Sequence, residues 1–128
     1  VVVVAETSLF ERVGGQPFFD ELVERFYEGV VADEVLSAMY PPDLAESKSH
    51  LALFLAQYWG GPTTYSELRG HPRLRMRHAP FRITKRARDA WLAHMRAAIA
   101  AVGDALSEPD RRELDTYFEM AAHQLRNV

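Results

Sequence analysis

Apolar residues recur at intervals of three and four along nearly the whole chain, the period of helices packed on one face. A short helix around Thr7 to Val13 should end at Gly14-Gly15, a pair that breaks helices and supplies positive φ. Phe18, Phe19, Leu22, Val23, Phe26, Tyr27, Val30 and Val31 then mark an amphipathic helix with a wide apolar face. Asp33 is placed to cap a short turn through Leu36 to Tyr40, which Pro41-Pro42 stops. Leu44, Ser47, Leu51, Phe54, Leu55 and Tyr58 predict a second amphipathic helix, ended by Gly60-Gly61-Pro62. Residues 62–72 read as a loop, long for a compact helical domain. A short helix around Arg73 to His78 follows, closed by Pro80. Thr84 caps a long helix whose Ala87, Trp91, His94, Met95, Ala98 and Val102 share a face, and Gly103 ends it. Ser107 opens a last helix with Pro109 in its first turn, where the missing N–H is harmless, and Leu114, Tyr117, Phe118, Ala121 and Leu125 on its buried side. The only strand-like run is the terminal valines.

The bulk numbers narrow this all-α picture. With 128 residues, 48% of them apolar, one compact domain with a sizeable core is expected. The absence of cysteine excludes disulfides, thiolate zinc sites and cysteine nucleophiles. Val1 to Val4 are too few, and lack the flanking charges and cleavage site, to act as a secretory signal or membrane anchor. We therefore expect residues 1–5 to be a disordered, processed tail and residues 6–128 to form the domain. No run approaches the roughly 20 apolar residues of a membrane span, which points to a soluble, cytoplasmic protein.

The formal charge is −3, yet the segment Arg69 to Phe81 holds Arg69, Arg73, Arg75 and Arg77 with no acid among them. Such a concentration calls for a local anionic partner. His78 lies within it, with Met76, Ala79 and Phe81 as apolar neighbours. An imidazole with apolar surroundings and cationic flanks suits an iron porphyrin, which is apolar, carries carboxylates at one edge and takes histidine as an axial ligand. Tyr27, Tyr40 and Trp91 add three donors on otherwise apolar stripes, each needing a partner when buried, and together they suggest a polar pocket.

The motifs F-Y at 26–27, M-Y-P at 39–41, Q-Y-W-G-G-P at 57–62, T-Y-S-E at 64–67, G-H-P-R-L-R-M-R-H-A-P-F at 70–81 and D-A-W-L at 89–92, with the double glycines at 14–15 and 60–61, resemble the group II truncated haemoglobins over about residues 8 to 127. The resemblance implies a globin-like fold, the truncated two-over-two helical sandwich, around haem b. It makes His78 the proximal iron ligand and Tyr27, Tyr40 and Trp91 the distal hydrogen-bonding cluster. Leu51, Phe54 and Leu55 then lie over or beside the porphyrin, and Tyr65, Arg69 and Arg77 face the propionates. Ser47 takes the place where many oxygen-binding globins carry a distal histidine, while His50 points off the core stripe. His71, His94 and His123 are expected to be structural or exposed.

The function implied is binding of dioxygen and other diatomic ligands at a five-coordinate ferrous haem, with slow release. Donors crowded around a partly charged ligand favour redox chemistry on peroxide or nitric oxide, or sensing, over bulk transport. Redox chemistry would call for an electron-donating reductase; a homo-oligomer is a further candidate assembly. Two competing readings are a helical module that binds nucleic acid through the basic segment 69–88 and a globin-like domain that has lost haem. The buried Tyr27, Tyr40 and Trp91 argue against the first, and the retained His78 against the second.

Overall fold

The computed structural model describes residues 7–128, so the expectations for the terminal valines lie outside the described residues. Eight α-helices carry the fold: α1 (Leu9–Arg12), α2 (Gln16–Val31), α3 (Glu34–Ser37), α4 (Ala45–Tyr58), α5 (Thr64–Arg69), α6 (Leu74–His78), α7 (Lys85–Ala101) and α8 (Glu108–Leu125), with a 3₁₀ turn at Gly103–Ala105. Among the described residues there is no strand. Helix α2 packs against α4 and α7, and α7 packs against α8. Helices α2 and α4 form one packed pair and α7 and α8 another, joined through α2 and α7, the two-over-two arrangement that the resemblance implies.

Local chemistry sets most of the boundaries. Ser8, Asp33, Thr84 and Ser107 each accept a backbone N–H of the first turn of α1, α3, α7 and α8, filling donors that no intrahelical carbonyl reaches. Gly14 and Gly15 take φ values of 96° and 85°, open to glycine at no steric penalty, and so turn α1 into α2. The centre of the core is Phe19, Leu22, Phe26, Leu55, Met95, Leu114 and Phe118, all essentially without exposed surface.

Three expectations need correction. Residues 62–72 are not a plain loop: α5 occupies Thr64–Arg69. No side-chain cap announces it, because its support is tertiary. The Gln57 side chain of α4 accepts from Ser66 N at 3.0 Å and lies 2.6 Å from Ser66 Oγ, while Tyr65 is buried beneath. The stripe on α4 is also divided. Ala52, Leu55 and Ala56 face the core, whereas Leu44, Ser47, Leu51 and Phe54 are half-buried and Tyr58 is 51% exposed. Finally, Val31 ends α2 on the solvent side. In both helices the apolar pattern is broader than the face that the neighbouring helices cover.

His94 and Asp33 tie α7 to the start of α3. His94 Nε2 donates to Asp33 Oδ2 at 2.7 Å, while Asp33 Oδ1 accepts from Val35 N and Leu36 N. The bond to His94 is the main reason the Asp33 carboxyl sits below its ordinary pKa. Gly29 makes room for the imidazole, since a Cβ there would stand 2.3 Å from His94 Nδ1. Gly29→Ala is therefore expected to destabilise the fold by about 1–2 kcal/mol despite alanine's better helix propensity, because displacing His94 outweighs that gain. Urea unfolding, read as a lowered midpoint at unchanged slope, checks this.

Candidate functional site

The short helix α6 presents His78 as its last residue. It begins at Arg73, whose left-handed φ of 46° turns the chain sharply into the helix. His78 Nδ1 lies 2.6 Å from the Leu74 carbonyl. A carbonyl only accepts, so Nδ1 carries a proton and Nε2 is the nitrogen left to bind a ligand. Beyond His78, the Asn127 side chain holds the next turn: Nδ2 donates to Phe81 O at 2.8 Å and Oδ1 accepts from Ile83 N at 2.9 Å. The sequence alone gave no sign of this clamp, which joins residues 44 and 46 positions apart.

The two candidate arginines lie next to this helix. Arg77 Nη2 donates to the Arg69 carbonyl at 3.0 Å. Arg77 Nε is buried without a hydrogen-bond partner among the described residues. A guanidinium N–H left so is costly unless an acceptor completes it. Arg69 Nη1 meets His50 Nδ1. Since guanidinium nitrogens only donate, His50 is the acceptor and neutral there, in line with a pKa held below the ordinary histidine value by burial and then by the Arg69 charge.

Tyr27 comes from α2, Tyr40 from the turn after α3 and Trp91 from α7. The Tyr27 and Tyr40 rings meet edge to face at 5.5 Å, and Trp91 is wedged between Phe26 at 5.3 Å and Phe118 at 5.8 Å. Burial raises both phenols above the usual tyrosine range. At Tyr40, the nearby donors of Trp91 and then Tyr27 work against that rise. All three are therefore neutral donors near neutral pH.

One cavity of about 390 Å³ collects these groups. Its wall includes the ten residues expected to contact the cofactor, His78, Tyr27, Tyr40, Leu51, Phe54, Leu55, Tyr65, Arg69, Arg77 and Trp91, with Ser47 and His50 beside them, whereas Arg73, Arg75 and Met76, expected around His78, lie outside it and are exposed. Phe81, expected beside His78, lines it too, and so do Met39, Leu74, Ile83 and, from α8, Tyr117 and Phe118, none of which was assigned to the pocket from the sequence. Leu74 was within reach of the sequence, one turn before His78 on the same short helix; Ile83 follows only from the Asn127 clamp. The basic run of 69–88 is divided by the fold. Arg69 and Arg77 line the cavity, while Arg88 binds the carboxylate of the adjacent Asp89 at 3.0 Å, so the nucleic-acid reading draws no support.

The cavity suits a flat apolar group with an anionic edge. It offers apolar walls, an unpartnered buried guanidinium nitrogen and an imidazole whose outer nitrogen is free. Among the described residues no group of three His, Asp or Glu side chains could cage a bare ion. A single imidazole instead suits a metal that brings its own equatorial ligands.

Comparison with known proteins agrees with this geometry. The bacterial-like globin family matches residues 8–127. The chain is 45% identical over 89 residues to a group 2 truncated hemoglobin of Bacillus subtilis (strain 168), covering 70% of this chain and 67% of the relative. The X-ray structure of a thermostable hemoglobin from Thermobifida fusca superimposes with a TM-score of 0.91 at 52% identity, covering 95% of this chain and 98% of that one. A truncated oxygen-avid haemoglobin from B. subtilis superimposes with a TM-score of 0.88 at 39% identity, covering 94% and 100%.

Proposed function

The chain is a haem-binding globin, a group II truncated haemoglobin of the bacterial-like globin family, and from that premise we propose that it holds haem b through His78 and releases dioxygen slowly. His78 Nε2 would hold the iron, with the Leu74 carbonyl fixing the ring and raising its basicity. Arg77, Arg69 and Tyr65 take the propionates; the unpartnered Arg77 Nε gains its acceptor there. Leu51, Phe54 and Leu55 pack on the ring. Haem, when bound, would supply an iron able to take a diatomic ligand.

The observation that carries the slow-release reading is the convergence of Tyr27, Tyr40 and Trp91 on the cavity that holds His78. Dioxygen draws electron density from ferrous iron, so neutral donors held in place beforehand stabilise it more than they stabilise an apolar ligand. Each such bond contributes roughly 1.5–3 kcal/mol, about ten- to a hundredfold in release rate. Ser47 on the same wall is too small to block the ligand. The oxygen-avid B. subtilis relative supports the same direction. Retention of this kind fits redox chemistry on peroxide or nitric oxide, in the cytoplasm with an electron-donating reductase, better than bulk carriage.

The test is to reconstitute the chain with haem, reduce it and follow dioxygen displacement by stopped flow. Dioxygen release that Trp91→Phe and Tyr40→Phe leave unchanged, or a chain that takes up no haem, would overturn the reading. The propionate assignment has its own check. Replacing Arg69 and Arg77 together by glutamine should weaken haem retention by about 1–2 kcal/mol, giving roughly five- to thirtyfold faster transfer to an acceptor apoglobin. Added salt should narrow the difference, because Arg69 is exposed. Equal transfer rates for parent and variant would place the arginines elsewhere.

A further inference from the structure

The helix that carries His78 is poorly anchored by its own residues. None of the five residues of α6 is buried, and no side chain caps it, so its packing alone does not fix how far His78 reaches into the cavity. On the leading side one bond, from Arg77 Nη2 to the Arg69 carbonyl, ties it to α5. On the trailing side residues 79–82 are all exposed, and no buried side chain holds the turn before Ile83. The tie there is Asn127. Helix α8 ends at Leu125, and Arg126 leaves it in an extended conformation, with φ −61° and ψ 128°, that brings the next residue to the turn. Asn127 closes a ring with Ile83: its own N–H donates to the Ile83 carbonyl at 3.0 Å, and its Oδ1 accepts from Ile83 N at 2.9 Å. Its Nδ2 donates to the Phe81 carbonyl at 2.8 Å and lies 3.5 Å from the His78 carbonyl, which also accepts from Phe81 N at 3.0 Å. Exchanging the amide oxygen and nitrogen would set donor against donor at Ile83, so these bonds fix the orientation of the carboxamide.

We propose that Asn127 is a positioning residue for the proximal ligand: by clamping residues 78–83 to the end of α8 it sets the reach and tilt of the His78 imidazole, and so the strength of its bond to the haem iron. The inference rests on the haem-binding reading above and adds to it a residue that lies 49 positions from His78 and outside the cavity wall.

Two groups orient the imidazole, and they do different things. The Leu74 carbonyl fixes the rotation of the ring through Nδ1, but Leu74 rides on α6 itself, so that bond travels with the helix and cannot set the helix's place. Asn127 can, because α8 is rooted in the core through Leu114 and Phe118, both essentially without exposed surface. The same helix walls the cavity with Phe118, Ala121, Ala122 and Leu125. The clamp therefore fixes the imidazole against the wall that a bound porphyrin would touch. A group that holds a ligand's backbone in this way acts on the metal through the ligand's orientation, without contact of its own. Losing it leaves the fold intact and lets α6 take a range of positions.

In the chain without haem, hydrogen exchange followed by NMR is expected to show the Ile83 N–H protected in the parent and exchanging at least about tenfold faster in Asn127→Ala. Far-UV circular dichroism should stay the same, since Asn127 is exposed and lies beyond α8. After loading with haem and reduction, the iron–histidine stretching band of Asn127→Ala should broaden and move, and haem should pass to an acceptor apoglobin about three- to tenfold faster. Arg126→Gln removes the bond from Arg126 Nε to the Val128 carbonyl; it loosens the same chain end, spares the clamp, and should match the parent in all three measurements. Unaltered Ile83 exchange in Asn127→Ala, faster exchange with an unaltered band and transfer rate, or an Arg126→Gln variant equal to Asn127→Ala overturns the inference and leaves the haem reading standing. A parent chain that takes up no haem, or shows no iron–histidine band, overturns the functional reading and this inference with it.

Discussion

His78→Ala is expected to abolish stoichiometric haem retention while leaving the helical fold in place. Helix α6 contributes no buried residue to the core, and the half-buried His78 ring makes its one hydrogen bond with its own helix, to Leu74. Truncating it should hardly disturb the packing of α2, α4, α7 and α8. What disappears is the imidazole proposed to hold the iron. Haem left in the pocket by apolar contact alone should be lost readily to an acceptor and show a shifted Soret band. Free imidazole, filling the space that the substitution opens, should restore part of the parent spectrum. Haem content per chain, measured beside far-UV circular dichroism, separates loss of ligation from loss of fold. An unchanged haem content and an unchanged Soret band would mean that another residue holds the iron.

The second large effect concerns the distal donors. Trp91→Phe keeps an aromatic ring between Phe26 and Phe118, removes the indole N–H, and should raise the dioxygen dissociation rate by roughly ten- to a hundredfold. Carbon monoxide develops less negative charge and gains less from a donor, so its dissociation should change far less. The comparison separates electrostatics from sterics. Equal factors for both ligands would make Trp91 a gate on access. No change for either would reduce it to packing and remove the main support for slow release. Because Trp91 also acts on the Tyr40 oxygen, the double substitution with Tyr40→Phe should fall short of the sum of the single effects, as expected for groups that share one network.

Much of this protein is legible in the chain itself, for reasons that are local. The three-and-four period of apolar residues, the caps Asp33, Thr84 and Ser107, and the breaks at Gly14-Gly15 and Gly60-Gly61 act within one or two turns, so helix type and most boundaries follow without any knowledge of neighbours. His78 among arginines, and Tyr27, Tyr40 and Trp91 on apolar stripes, stand out because each places a polar group where burial demands a partner. What the chain could not announce arises between segments distant in sequence. Helix α5 exists because Gln57 of α4 supplies the cap that its own residues lack. The turn after His78 is held by Asn127 from the far end of the domain, and His94 reaches Asp33 across two helices through the space left by Gly29. The cavity side of α4 came from the family resemblance, which set Leu51 and Phe54 beside the porphyrin, and not from the apolar pattern, since hydrophobicity specifies that a residue leaves water and not which wall it joins. Tyr58 stands at the limit of both kinds of reasoning: its place in the apolar stripe predicts burial, and only the packing of α8 against the end of α4 leaves it outside, ring against ring with Tyr117.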